Sequence, residues 1–142
     1  MNKNSGSGRE LKVLKRGFEI IELISQEPGL TLTKIAEKLD LPKSTVHIYL
    51  QTLEQSGYLV NTDAGYNISF RFLTVGGLRR NRSHLYEVTR EPMAELSDDL
   101  DDVFNVALAT EERGQRVLIY KIEGERSPFA DVPVGHMTNL HW

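Results

Sequence analysis

The chain has 142 residues, 39% hydrophobic and 26% charged, with a net charge of −3 and no cysteine. That length holds one ordinary domain, or one small domain and part of another, and the composition is that of a folded chain. Disulfides and thiolate metal sites are excluded, no run of apolar residues is long enough for a membrane span, and the first eight residues lack the apolar stretch of a secretory signal, so a cytoplasmic, non-membrane protein is expected.

The net charge hides an asymmetry. Residues 1–82 carry twelve Lys or Arg against eight Asp or Glu, whereas residues 83–142 carry five against twelve. The first part suits a polyanion and the second repels one, and the change of sign predicts a boundary near residue 80.

Residues 1–10, rich in Gly, Ser and Asn, read as a flexible arm. From Leu11 the spacing of Leu14, Phe18, Ile21 and Ile24 predicts an amphipathic helix with that stripe inward, ended by Pro28-Gly29. Thr31 is placed to cap a short second helix, Leu32 to Leu39, with Ile35, Ala36 and Leu39 facing inward. Lys34 stands where a capping box wants Glu or Gln. After Asp40-Leu41, Pro42 suits the first position of a third helix that runs to about Ser56 and buries Val46, Leu50 and Leu53, with Gly57 just past its end. A connection this short makes the two helices cross at a large angle. Two β-prone runs, 58–60 and 66–70, flank a turn over 61–65 and predict a hairpin. Three helices and a hairpin in this order are a winged helix over 11–70.

Residues 71–82 read as a linker helix, weakened by Gly76-Gly77. Ser83 is placed to cap the next helix, in which Leu85, Val88, Met93 and Leu96 form a stripe and Pro92 either starts a new helix or kinks this one. After the acidic run at 98–102 the period becomes two: Phe104, Val106 and Leu108, then 117–122, predict an antiparallel hairpin. Residues 128–142 show no regular pattern. One helix and a hairpin do not close a core, so 83–142 reads as a partial effector-binding or dimerisation domain, truncated or shortened. The fold class is α+β: a winged helix-turn-helix, a linker helix and a partial α/β effector-type domain.

With Val46, Leu50 and Leu53 turned inward, the other side of the third helix carries the chemistry. Its width matches the major groove. Thr45, His47, Ile48 and Gln51 are the candidates for base contact, Ile48 through a thymine methyl. Lys43 and Ser44, with the free N–H groups of the first turn, suit phosphates, as do Lys12, Lys15 and Arg16 near the start of the first helix. The wing turn holds Asp63 and no Lys or Arg, which argues against a basic insertion into the minor groove; Asn61, Thr62 and Asn67 remain as donors to phosphate. Arg71, Arg79, Arg80 and Arg82 either flank DNA or pair with the acidic second segment.

An enzyme is not indicated. The four His, at 47, 84, 136 and 141, have no zinc-binding spacing, and His136 and His141 with Asp131 make a loose trio in an irregular segment. Asp98, Asp99, Asp101 and Asp102 lack the Gly and terminal Glu of a calcium loop, and Gly76-Gly77 lacks the rest of a phosphate-binding loop. No metal or cofactor is expected. The competing class is a winged helix that binds protein, or a truncated partner of a full-length homologue.

The run Leu30-Thr31-Leu32-Thr33-Lys34-Ile35-Ala36-Glu37-Lys38-Leu39-Asp40-Leu41-Pro42-Lys43-Ser44-Thr45-Val46-His47, with Leu50-Gln51-Thr52-Leu53 and Gly57-Tyr58-Leu59, resembles the head of IclR-type transcription regulators. Residues 111–123 are similar to the first hairpin of that family's effector-binding domain, and Val134-Gly135-His136-Met137 with Leu140-His141 to a loop of the same domain. The resemblance implies a homodimer, paired through head and linker helices, that binds a pseudo-palindromic operator in double-stranded DNA, responds to a small organic ligand and has no enzymatic activity. Three departures accompany it. Ile48 stands where the pattern usually has Arg, Lys34 replaces the capping Glu, and the effector domain ends early at Trp142, so a weakened or absent effector response is expected.

Overall fold

A computed structural model describes residues 10–100, 105–126 and 131–140. Residues 1–9 of the expected arm over 1–10, and Asp101, Asp102, Phe104 and His141, lie outside the described residues. The chain divides into two compact units, Met1–Phe72 and Leu73–Trp142.

The first unit contains helices α1 (Lys12–Gln26), α2 (Leu32–Leu39) and α3 (Lys43–Gln55), then strands β1 (Leu59–Thr62) and β2 (Gly65–Ile68). Its core is Ile20, Ile24, Leu30, Ile35, Ala36, Val46, Leu50 and Leu59, with Leu39 and Leu53 half-buried against it. Each such aliphatic side chain taken out of water contributes about 1.5–3 kcal/mol. The inward face of α1 differs from the expected stripe. Ile20 and Ile24 are buried, but Leu14 and Phe18 are 58% and 55% exposed. The helix carries two apolar faces, and periodicity alone does not say which one meets α2 and α3.

Thr31 caps α2, its hydroxyl accepting from the Lys34 N–H at 3.4 Å. Asp40 ends the helix in the left-handed region at φ 50°, which Asp tolerates, and the Leu41 N–H returns to the Ala36 carbonyl at 3.0 Å. Pro42 stands one residue earlier than expected. Its ψ of 137° is extended, so it precedes the helix, and its carbonyl accepts the Val46 N–H at 3.1 Å. Gly57 follows α3 at φ +79°.

The wing is tighter than its sequence suggests. Asn61 pairs with Tyr66 and Thr62 with Gly65, leaving only Asp63-Ala64 in the turn. The hairpin also docks onto the loop after α1: the Gly29 N–H donates to the Tyr66 carbonyl and the Tyr66 N–H to the Leu30 carbonyl, both at 2.9 Å. Partial burial of Tyr66, with the Glu54 carboxylate nearby, raises its phenol above the usual range. Phe70 is not in the strand. Ser69 turns the chain instead, donating its hydroxyl to the Gly57 carbonyl at 2.5 Å and accepting from the Arg71 N–H at 3.2 Å.

Helix α4 (Arg71–Asn81) forms through both glycines, and the division between the units falls in its first turn. In the second unit, α5 (His84–Asp98) is continuous through Pro92, and Ser83 sits before it without a side-chain capping bond. Of its expected stripe only Met93 is buried; Val88 and Leu96 are half exposed. Strands β3 (Asn105–Glu112) and β4 (Gln115–Glu123) form the expected hairpin about Arg113-Gly114, both at positive φ as a tight hairpin turn requires. A third strand, β5 (Met137–Asn139), corrects the reading of 128–142 as irregular: it pairs antiparallel with β4, and Arg116 Nε donates to Thr138 Oγ1 at 3.1 Å. A bulge at Ile119 puts Leu118 and Lys121 on one face, lining a cleft of about 350 Å³, while Tyr120 meets the Tyr86 ring of α5 edge-on at 5.3 Å on the other.

Candidate nucleic-acid interface

Helical geometry divides α3 into two sides. Val46 and Leu50 are fully buried, and the opposite ridge, Ser44, Ile48, Gln51 and Gln55 at spacings of four, three and four, is exposed along its length. The four ridge residues and the flanking Lys43 and His47 carry no negative charge; the carboxylate of α3 is Glu54, exposed beside Gln55 at the far end of the helix. Lys43 and His47 are exposed beside it. No side chain caps α3, which leaves the first-turn N–H groups without helical partners at the end where Lys43 and Ser44 lie.

Thr45 sits differently from the other base-contact candidates. It is half-buried and shares a cleft of about 320 Å³ with Tyr49 and with Lys12, Lys15 and Arg16 of α1. The fold thereby brings three residues from the start of the first helix to the flank of the third. Two of these are held by their own chain: Lys15 Nζ lies 3.0 Å from Glu10, and Arg16 donates to Glu19 at 2.6 Å. The hydrogen bond to Glu10, then that carboxylate's charge, raises the Lys15 pKa. Lys12 and Lys43 have no ion-pair partner among the described residues.

The wing candidates are partly spent on the hairpin itself. The Thr62 hydroxyl donates to the Gly65 carbonyl at 3.0 Å, and the Asn67 amide donates to the same carbonyl at 3.1 Å. Asn61 is exposed. Of the four arginines beyond the hairpin, none forms an ion pair with the acidic segment among the described residues. Arg71 rests over the Tyr58 ring at 5.1 Å and Arg80 over the Tyr86 ring at 4.8 Å. Sequence reasoning misses Gln55; its place eleven residues after Ser44, on the same ridge, is the available signal.

Residues 13–63 match the IclR helix-turn-helix domain family. The chain belongs to the IclR family of transcriptional regulators. It is 32% identical over 125 residues to a probable HTH-type transcriptional regulator, ArcR, of Halobacterium salinarum, covering 87% of this chain and 47% of that one. It is 30% identical over 113 residues to the DNA-binding transcriptional repressor YiaJ of Escherichia coli, covering 78% and 39%. Among solved structures, the IclR of Thermotoga maritima superposes with a TM-score of 0.76 at 23% identity, over 92% of this chain and 53% of that one. An IclR homologue from Microbacterium hydrocarbonoxydans, complexed with 4-hydroxybenzoate, gives 0.70 at 18% identity, over 89% and 53%. The chain spans about half the length of the curated relatives it matches, and these IclR likenesses extend past the head into the second unit.

Proposed function

We propose that this IclR-family chain is a cytoplasmic, sequence-specific DNA-binding transcription regulator that acts as a homodimer on a two-fold symmetrical site. The observation that carries the reading is the outer ridge of α3, exposed and free of carboxylates while the other side of the helix is locked into the core. In this reading α3 lies in the major groove. Lys43, Ser44 and the first-turn N–H groups take phosphates, with Lys12 on a flanking phosphate, and Thr45, His47, Ile48 and Gln51 face base edges. Lys15 and Arg16 act once released from Glu10 and Glu19, and Asn61 is the better placed of the wing donors, ahead of Thr62 and Asn67.

Dimerisation is supported by apolar surface that folding leaves uncovered. Leu11, Leu14 and Phe18 form one stripe on the side of α1 away from the core, and Phe70 and Leu73, 87% and 70% exposed, lie at the start of α4. Dimeric helix-turn-helix proteins set their two recognition helices about 34 Å apart, one turn of DNA, and a second copy covering these residues is the pairing proposed for this chain.

Titration of labelled genomic fragments at 50 and 200 mM salt tests the reading. Affinity is expected to fall steeply with salt, because each phosphate contact releases counterions, and Lys43→Ala is expected to reduce the slope by about one. Binding that ignores salt, or no binding to any fragment, contradicts it.

A further inference from the structure

Ile48 is the one aliphatic side chain on the recognition ridge, and folding does not account for its place. It is 63% exposed, whereas Val46 and Leu50, two positions to either side, are fully buried. A β-branched residue is also a middling helix former, so propensity gives no reason for it at an exposed mid-helix position. Its neighbours on the ridge, Ser44 and Gln51, are polar and uncharged. Thr52 spends its hydroxyl hydrogen on the Ile48 carbonyl at 2.7 Å, so that hydroxyl is not offered outward as a donor. Ile48 is therefore a single apolar side chain in the middle of the ridge, bounded along the helix by hydrogen-bonding groups.

Of the four bases, only thymine presents a methyl group in the major groove. Resting on the DNA-binding reading above, we infer that Ile48 reads the 5-methyl group of a thymine, so that each half-site carries a preferred thymine where α3 crosses its centre. The methyl replaces water against Ile48, while Ser44 and Gln51 fix the register through hydrogen bonds.

The test starts from duplexes that the full chain selects out of a random pool. Each thymine is then replaced singly by deoxyuridine, which removes the methyl and nothing else. One thymine in each half-site is expected to respond, with affinity falling about fourfold, the worth of one methyl taken out of water. Ile48→Ala is expected to bind the thymine and uracil duplexes alike, and Ile48→Val to keep the preference; both changes lie on an exposed position and leave the core untouched. Selected duplexes that bind equally well with uracil at every position overturn the inference and leave DNA binding standing. So does a thymine preference that survives in Ile48→Ala. Failure to select any duplex, with Ile48 instead needed for capture of a protein partner, overturns the DNA-binding reading itself.

Discussion

At φ +112°, Gly65 lies where L side chains are strained, and a Cβ there would run into the carbonyl oxygen of Gly29 and stand 2.8 Å from that of Leu30. The backbone of the wing needs this approach, because the two hydrogen bonds between Tyr66 and the Gly29-Leu30 segment hold the hairpin onto the helices. Gly65→Ala is expected to lower stability by about 2 kcal/mol, since both the strain and the clash oppose it. Urea denaturation of the variant checks this, and an unchanged midpoint would mean that the wing is not held there. Ile48 poses the opposite case, an exposed side chain that packing within the head does not call for.

Among the elements, α4 is the one whose sequence argues against it. Gly76 and Gly77 disfavour a helix, and a Cβ at either position meets no atom within 4 Å. Gly76→Ala is therefore expected to stabilise the helix by about 1 kcal/mol, read as a rise in thermal midpoint; a fall would show that the position is covered in the working assembly. The elements of the head were legible because each carries its own punctuation: Thr31 before α2, Pro42 before α3, Gly57 after it. What escaped the sequence had no local signature. Met137–Asn139 is too short to show a period, and its pairing with β4 is fixed by residues 115–117, twenty or more positions earlier. The two apolar faces of α1 look equivalent until α2 and α3 choose one. In the candidate site, the ridge of α3 followed by elimination once Val46 and Leu50 were turned inward. The commitment of Thr62 and Asn67 to the Gly65 carbonyl did not, because it depends on a turn shorter than the one expected.

The whole molecule joins a basic half to an acidic half, with one buried cluster in the head and Met93 as the buried hydrophobic residue described in the second unit. Exposed aliphatic and aromatic side chains on α1 and α4 suit assembly rather than a solvated monomer. Sedimentation velocity is expected to give a dimer, and Phe18→Glu, at a position 55% exposed, to shift it toward monomer with its helix content intact. A monomeric wild type at tens of micromolar would contradict this.

If the free side of α3 reads sequence, the ratio of affinities for a selected duplex and a scrambled one of equal length and composition shows it. Wild type is expected to prefer the selected duplex by about a thousandfold or more, and Gln51→Ala to lose tenfold or more of that preference while holding the scrambled duplex as before. A wild-type ratio near one, or a ratio that Gln51→Ala leaves unchanged, would contradict the account.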